Sequence, residues 1–346
     1  MEARERANFE ASELAVVLSN YDQGVIESIT DFPRGSRRSP KVGIVAEKGK
    51  FLLKRRAIVR AKPERVRLSH RLQAHLASVG FPLPRLVATR NGKHTTVQNR
   101  DHVFELFEFV AGQPFERTPE EAGDAGRVLA KFHAATEHFA ELLPGLIPQG
   151  DFHDASGVRT GLCAIRSSLK SHDSFTGDEA ELDALVEFLL AAYDRAADAG
   201  NERGLNQLAF RLIHSDWHPG NILYKNRKVI AVLDYDSVRL SRWVLDVANG
   251  ALQFSMLAGG DPASWPDHLD MDRFRAFVAG YESIRPPSEP ERRVIPHLMA
   301  EALIAECVPP ISETGSVGPW AGFREMQMAK RKLTWLAANA AALGDV

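Results

Sequence analysis

The sequence has few cysteines and no long apolar run. Only Cys163 and Cys307 occur among its 346 residues, which excludes a disulfide framework and a four-cysteine zinc site. This scarcity favours a reducing compartment, so we expect a cytoplasmic protein. No stretch approaches the roughly 18 consecutive apolar residues of a membrane span, so we expect no membrane partner. Residues 1–12 carry charges throughout, so we expect no signal peptide.

Charge of one sign does not dominate the sequence either. The chain carries 43 Lys and Arg against 45 Asp and Glu, which gives a net charge of -2. A dedicated nucleic-acid-binding protein is normally basic, so we expect no nucleic-acid partner. The length favours about two domains, because a domain usually takes roughly 100–200 residues. We expect a monomer or a homodimer.

The two parts of the chain show different residue patterns. In the first 110 residues, short alternating segments predict strands at 24–31, 41–47, 50–56, 86–89, 94–98 and 102–110, with helices at 9–19 and 64–79. Beyond Gly112, helical periodicity predicts helices at 119–140, 178–199, 243–257, 271–283, 290–306 and 320–342. We therefore predict an α+β fold. Its N-terminal domain, 1–112, is a small antiparallel sheet with one inserted helix, and its C-terminal domain, 113–346, is larger and mostly helical.

Polar side chains of catalytic type are concentrated in the segment 210–238, FRLIHSDWHPGNILYKNRKVIAVLDYDSV. A short strand is predicted to end at His214, and a hairpin then returns the chain to Asp234. The spacing of His214, Asp216, Asn221 and Asp234 matches that of kinase catalytic loops. The sequence therefore predicts a catalytic loop at 214–221 and a metal-binding segment at 234–236.

The chemistry of phosphoryl transfer explains these residue types. Asp216 would accept the hydrogen bond of an acceptor hydroxyl and take its proton, and His218 would donate to the moving phosphate. Asn221 and Asp234 supply the hard oxygen ligands that Mg²⁺ prefers. We therefore predict Asp216 and His218 as catalytic residues, and Asn221 and Asp234 as metal ligands.

A cation that binds the phosphates is predicted on the third strand, at Lys54. Because neighbouring strand residues point to opposite faces, Lys54 can face a site while Leu53 packs away from it. The loop 33–40 precedes this hairpin and would cover the phosphates with backbone amides and hydroxyl groups. Its candidate nucleotide-binding residues are Gly35, Ser36 and Ser39.

Two other functions fit part of the pattern. His214, Asp216 and His218 would form the ligand set of a metallohydrolase if the segment were extended, although Pro219 and Gly220 favour a turn there. A non-catalytic nucleotide-binding protein is the other alternative.

For a kinase, residues that would suit a cationic acceptor occur at about 151–177 and 255–320. They are His153, Asp154, Asp173, Asp261, Asp267 and Glu306.

The motif HSDWHPGNILY, followed by VLDYDSV, resembles the aminoglycoside phosphotransferase and choline kinase-like superfamily, which includes homoserine kinase type II. The stretches GFPLPRLV, ELFEFVAGQPF and GRVLAKFHAAT are similar to other parts of that family. The resemblance implies a two-lobed protein-kinase-like fold, with ATP in the cleft, Mg²⁺ as cofactor and a small-molecule hydroxyl as acceptor. A protein Ser/Thr acceptor is a variant of this interpretation. The resemblance also implies that the backbone of 108–110, including Glu108 and Val110, contacts adenine.

The chain departs from this family at one position of the first long helix. The family pairs its phosphate-binding lysine with a glutamate there, whereas this sequence has His70, and Glu64 lies two turns too early. We therefore expect Lys54 to lack a carboxylate partner. Two further residues are predicted to have structural roles: His133 as a hydrogen-bonded core histidine, and Asp246 as an acceptor of hydrogen bonds from the catalytic loop.

Overall fold

The computed structural model describes residues 9–32, 39–139, 146–171, 175 and 177–346. Contacts between residues divide the chain into two units. The first is Met1–Phe115 with Gly220–Val238, and the second is Glu116–Pro219 with Arg239–Val346. The predicted boundary after residue 112 lies close to the first of these divisions. The hairpin that follows the catalytic loop packs with the N-terminal residues, whereas the sequence pattern grouped it with the C-terminal domain.

The described strands, in chain order, are β1 (Ile26–Asp31), β2 (Lys41–Ala46), β3 (Gly49–Arg55), β4 (Thr96–Asn99), β5 (His102–Glu108), β6 (Phe210–Ile213), β7 (Ile222–Lys225), β8 (Lys228–Val232), β9 (Arg239–Arg242), β10 (Ser316–Val317) and β11 (Trp320–Ala321). The described α-helices are α1 (Ala11–Leu18), α2 (Pro63–Ser78), α3 (Pro119–Thr136), α4 (Ser156–Ser171), α5 (Glu179–Glu202), α6 (Val244–Ser255), α7 (Met271–Glu282), α8 (Glu289–Thr314) and α9 (Gly322–Gly344). The predicted α+β fold is confirmed: the N-terminal part is mostly an antiparallel sheet and the C-terminal part is mostly helical.

The sheet of the first unit has the strand order β1-β2-β3-β5-β4, with antiparallel neighbours. Successive side chains on a strand point to opposite faces. Leu53 therefore packs in the core that includes Val17 and Leu18 of α1, and Lys54 lies on the other face. Glu105 of β5 is the register partner of Lys54 and shares its face. The sheet thus places the Glu105 carboxylate beside the Lys54 side chain, on the face that points away from the α1 core.

A tight turn returns the chain within the β7–β8 hairpin. Asn226 and Arg227 both have positive φ, 53° and 60°, as a two-residue type I′ turn requires. The strands then pair from Lys225–Lys228 back to Ile222–Val232. The Leu233 amide donates to the Asn221 carbonyl at 2.8 Å. The hairpin therefore brings the residue before Asp234 against Asn221, as the sequence spacing predicted.

Two glycine contacts set the close approach of α3 and α7 in the second unit. A Cβ on Gly126 would lie 2.0 Å from the Phe277 carbonyl oxygen, and one on Gly280 would lie 1.9 Å from the Gly123 carbonyl oxygen. Backbone therefore packs directly on backbone where the two helices cross. The start of α3 is as predicted, because the Thr118 hydroxyl accepts a hydrogen bond from the Glu121 amide at 3.3 Å.

Two predicted elements differ from the structure. The predicted strand at 86–89 is wrong, because that segment contributes only an isolated bridge between Leu86 and Phe107. Helix α8 does not end at 306 but continues to Thr314, through Pro309 and Pro310. Proline removes a backbone donor and usually ends a helix. Here the buried side chains of Cys307, Val308 and Ile311 anchor the additional turns, so packing outweighs the missing hydrogen bonds.

Among the described residues, α8 is also the one helix that is long and apolar enough to cross a membrane by length and composition. Of its most apolar 18-residue window, 72% is buried inside the protein. That burial is typical of a core helix.

Candidate active site

The first unit brings Lys54 together with the acidic segment that follows β8. The Lys54 ammonium lies 3.0 Å from Oδ1 of Asp234 and 2.8 Å from Oδ2 of Asp236. Lys54 and Asp236 are buried, whereas the Asp234 side chain is 29% exposed. Asp236 is therefore fixed inside the unit, and Asp234 has an oxygen-bearing edge that solvent and ligands can reach.

These charges stabilise one another in their ionised forms. Burial alone would lower the pKa of Lys54, but the carboxylates of Asp234 and Asp236 outweigh it and raise that pKa above its ordinary value. Burial would likewise raise the pKa of Asp234, but Lys54 outweighs it and holds the pKa well below its ordinary value. The lysine is therefore a cation, and Asp234 an anion, over the physiological pH range.

Asp234 has a backbone conformation that is uncommon for a residue with a side chain. Its φ of 59° and ψ of 71° lie in the left-handed region, just before the 3₁₀ turn Tyr235–Ser237. Such conformations persist where the surrounding structure holds them, and they are common at functional sites. The Asp234 carboxylate and the Asn221 amide are hard oxygen donors of the kind that Mg²⁺ prefers, so the donor set fits the predicted ion.

In the second unit, Asp246 holds the start of the catalytic loop. Its buried carboxylate accepts hydrogen bonds from the amides of His214 and Ser215, at 2.7 and 2.8 Å. His133 contacts the same carboxylate through Nε2 at 3.2 Å and the Tyr281 hydroxyl through Nδ1 at 2.8 Å. The predicted structural roles of Asp246 and His133 are confirmed.

Aromatic packing supports the same loop. Trp217 is fully buried. Its ring lies edge-on to the His214 ring, with 5.4 Å between the two ring centroids. The centroid of the Phe132 ring lies 6.3 Å from that of Trp217. Ser215 has a φ of 65°, so the backbone turns sharply just before Asp216. Trp217 thus packs under the loop while its neighbours Asp216 and His218 reach solvent.

Asp216 and His218 lie side by side in the second unit. Nε2 of His218 is 3.5 Å from Oδ1 of Asp216, and the two side chains are 36% and 37% exposed, respectively. An accessible carboxylate with an imidazole beside it suits proton transfer from a hydroxyl. Four residues separate Asp216 from Asn221 along the chain. The convergence of Asp216 with Asn221 and Asp234 stays a prediction.

A second acidic side chain, Glu306 of α8, lies near Asp216. Its carboxylate accepts a hydrogen bond from Nε2 of Gln253. Although Glu306 reaches solvent, the surrounding protein desolvates it, and the negative charge of Asp216 adds to this effect. Together they raise the pKa of Glu306 to about 7. Among the acidic candidates that the structure describes, Glu306 is the one whose pKa is raised by the charge of Asp216.

The other candidate acceptor residues have structural partners. His153 is bonded to Glu301 at 2.9 Å, and Asp154 pairs with Arg159 at 2.7 Å. Asp261 pairs with Arg324, and Asp267 with Arg331. Asp173 lies outside the described residues.

Of the predicted nucleotide-binding residues other than Lys54, the structure describes Ser39, Glu108 and Val110. Gly35 and Ser36 lie outside the described residues. Ser39 is buried, and its hydroxyl accepts a hydrogen bond from the Ala57 amide at 3.1 Å. The Glu108 amide donates to the Arg85 carbonyl at 2.9 Å, and Val110 is half-buried. Their roles toward a nucleotide stay predictions.

The metallohydrolase alternative loses its ligand set. Within the part of the chain that the structure describes, no three His, Cys, Asp or Glu side chains come together as a metal site. His214 is completely buried beneath the loop, whereas Asp216 and His218 face solvent. The positive φ of Ser215, 65°, turns the backbone between His214 and Asp216, so the segment is not extended as three-residue coordination requires.

Sequence reasoning missed a buried network behind Lys54. Oε1 of Glu105 lies 2.5 Å from Nη1 of Arg56 and 2.5 Å from Nε2 of His70, and Nη2 of Arg56 lies 2.9 Å from Oδ1 of Asp236. Burial alone would raise the pKa of Glu105, but His70 and Arg56 lower it to about 2. The expectation about Lys54 is therefore only half right. Position 70 supplies no carboxylate, but Asp234 and Asp236 do.

The chain matches one family model over most of its length and resembles several known kinases. Residues 29–294 match the model described as "Phosphotransferase enzyme family". A homoserine kinase from Caulobacter sp. (strain K31) is 26% identical over 317 residues, which cover 88% of this chain and 87% of the relative.

Two solved structures have a similar fold. A microcompartment-associated aminopropanol kinase has a TM-score of 0.70 at 17% identity, with 97% of this chain and 99% of that chain covered. An amicoumacin kinase in complex with AMP-PNP and Ca²⁺ has a TM-score of 0.64 at 12% identity, with 97% and 94% covered. The predicted kinase-like fold is confirmed. Since the family model spans the strands around Lys54 and the whole 214–236 motif, this chain belongs to the phosphotransferase enzyme family and is a phosphotransferase.

Proposed function

We propose that the protein transfers the γ-phosphate of ATP to a hydroxyl group of a small molecule in a Mg²⁺-dependent reaction. The observation that carries this proposal is the ion pair between Lys54 and Asp234, 3.0 Å apart. A phosphate-binding cation and an acidic metal ligand must lie together for such a reaction, and 180 positions separate these two in the sequence. The similar fold that holds AMP-PNP and Ca²⁺ supports a nucleotide and a divalent ion.

Each residue has a defined part in the proposed reaction. Asp216 accepts the proton of the acceptor hydroxyl as the oxygen forms its bond to the γ-phosphorus, and the bond from that phosphorus to ADP breaks. Lys54 donates to phosphate oxygens, and His218 donates to the phosphate in transfer. Asn221 and Asp234 would hold Mg²⁺, which neutralises charge on the phosphate oxygens when bound.

The acceptor that we propose carries an amine as well as a hydroxyl. Glu306 is accessible and interacts electrostatically with Asp216, so a second negative charge lies near the proposed base. A cationic group on the acceptor would be attracted by both carboxylates and would bring its hydroxyl to Asp216. The relatives named homoserine kinase and aminopropanol kinase act on molecules of this kind, which supports an amino alcohol.

We also propose a cytoplasmic location. Among the described residues, Cys163 is exposed and Cys307 is buried, and both are free thiols. Free cysteines are typical of a reducing compartment.

The test of the function is an assay of ADP release with MgATP and a panel of amino alcohols, aminoglycosides and sugars. We expect one class to stimulate turnover. Asp216→Asn should lower kcat by roughly 10²–10⁴-fold, the usual contribution of a general base, with MgATP binding unchanged. The control is Asp272→Asn, which alters an 84% exposed carboxylate in the same unit. Normal turnover by Asp216→Asn would contradict the mechanism.

A further inference from the structure

Glu105 is a buried acid that the proposed reaction does not use, yet it lies directly opposite Lys54. The two residues are register partners on β3 and β5, so their side chains rise from the same face of the sheet. Glu105 is 1% exposed, and its charge contributes to the raised pKa of Lys54. The structure therefore keeps a second carboxylate close to the lysine, in addition to those of the 234–236 segment.

One oxygen of Glu105 is held firmly, and the other is not. Oε1 accepts from Arg56 and contacts His70, each at 2.5 Å. Oε2 is buried and has no hydrogen-bond partner among the described residues. An ionised oxygen left unsatisfied in the interior is costly, so its position calls for a donor. Lys54, with three ammonium protons, is the cation opposite it.

The present partners of Lys54 leave a role for a further carboxylate. One of them, Asp234, is the proposed metal ligand, and a metal ion bound there would weaken its attraction for the lysine. A lysine ammonium has three protons, so one that donates to phosphate oxygens can still donate to a fixed anion. Asp236 and Glu105 both remain, and Arg56 links them, at 2.9 Å from Asp236 and 2.5 Å from Glu105.

We propose that Glu105 is the positioning carboxylate of Lys54 when nucleotide is bound, and that His70 and Arg56 fix Glu105 for this role. The inference rests on the proposed function, in which Lys54 binds the phosphates. In this chain the carboxylate partner comes from a strand of the sheet. The first long helix contributes His70, which holds that carboxylate through its Nε2 and contacts the Thr95 hydroxyl through Nδ1 at 2.6 Å.

A double-mutant cycle on MgATP affinity tests the link between Lys54 and Glu105. We expect Lys54→Met and Glu105→Gln each to raise the Kd of the full-length protein for MgATP at least tenfold. The double variant should bind no more weakly than Lys54→Met alone, because Glu105 acts through the lysine. Melting temperatures without ligand give the matching cycle on stability.

The outcomes separate this inference from the proposed function. If the wild type does not bind MgATP, the proposed function fails, and the inference fails with it. If the wild type binds and the two losses in affinity multiply, only the inference is overturned, because Glu105 then acts independently of Lys54. A Glu105→Gln variant with unchanged MgATP affinity overturns it as well.

A rescue variant tests whether the affinity lost in Glu105→Gln is due to the missing negative charge beside Lys54. His70→Glu places a carboxylate where the imidazole now contacts Glu105, so His70→Glu combined with Glu105→Gln should recover most of the lost MgATP affinity. His75→Glu on the same helix is the matched control, since it adds the same charge about 1.4 turns further along α2, on a different side of the helix. Recovery with His70→Glu but not with His75→Glu supports the positioning role. Equal recovery, or none from either, overturns it.

Discussion

The Lys54 ammonium lies 3.0 Å from Oδ1 of Asp234, although 180 positions separate the two residues along the chain. The pair joins the proposed phosphate ligand to the proposed metal ligand. In the proposed function, a metal ion at Asp234 would draw on the same carboxylate as Lys54. The affinities for nucleotide and for metal would then depend on each other through this contact.

Lys54→Met should affect the nucleotide and the metal ion in opposite directions. MgATP should bind roughly 10–100-fold more weakly, the loss of one charge-assisted interaction. Mg²⁺ alone should raise the melting temperature more than in the wild type, because Asp234 no longer has its lysine partner. The measurement is a thermal-shift titration with each ligand. Lys50→Met, an exposed position on the same strand, is the control and should show neither effect. Equal Mg²⁺ responses in Lys54→Met and the wild type would contradict the competition.

Asp246→Asn should loosen the catalytic loop. The carboxylate now accepts two backbone amides, from His214 and Ser215, and an asparagine has only one acceptor oxygen for them. We expect the free energy of unfolding to fall by about 3 kcal/mol, because one buried donor loses its partner and the other loses a charge-assisted bond. Urea unfolding measures this change. Asp272→Asn should change it little, and a stable, fully active Asp246→Asn variant would disprove the role.

Glu306→Gln should remove a pH dependence of acceptor binding. A carboxylate with a pKa of about 7 is neutral below that pH and charged above it. The KM for an amine-bearing acceptor should therefore rise roughly tenfold between pH 8 and pH 6, as the charged fraction falls. In Glu306→Gln the KM should be high at both pH values. Initial rates at saturating MgATP give the profile. Glu313→Gln, an exposed position on the same helix, should keep the wild-type slope.

Gly280→Ala should separate α3 from α7. The new methyl group would lie 1.9 Å from the Gly123 carbonyl oxygen, which is backbone and cannot rotate away. We expect a loss of about 3 kcal/mol in the free energy of unfolding, at the upper end of overpacking effects. Chemical denaturation measures it. Gly157→Ala in α4 is the control, because nothing lies within 4 Å of its new Cβ. Equal stabilities for the two variants would contradict the close packing.

Much of the site was predictable because its parts are local in sequence. The loop residues 214–221 and Asp234 follow from the spacing of one hairpin, and a tight turn between two short strands fixes that geometry. The role of Asp246 was also predictable from local sequence. It lies in the first turn of a helix, where a carboxylate can accept hydrogen bonds from backbone amides. Local chain geometry limits where such residues can lie, so their pattern is informative.

The surroundings of Lys54 were not predictable in the same way. Position 70 has no carboxylate, which suggested that the lysine lacked a partner. The register of β3 with β5 places Glu105 opposite it, and the turn after β8 adds Asp236. Neither residue belongs to a local motif with Lys54. Helix α8 is a similar case. A local rule predicts that a helix ends at proline, but α8 continues past Pro309 because the neighbouring side chains of the helix are buried.

The sequence by itself determined the α+β class, the order of most strands and helices, and the residues of the 214–236 motif, because hydrophobic periodicity and turn chemistry act over a few neighbouring residues. Only the tertiary structure decided which charges share the buried space around Lys54. Sheet register and packing brought together groups far apart in the chain, and burial made their pairing obligatory, since an unpaired charge in the interior is too costly to persist.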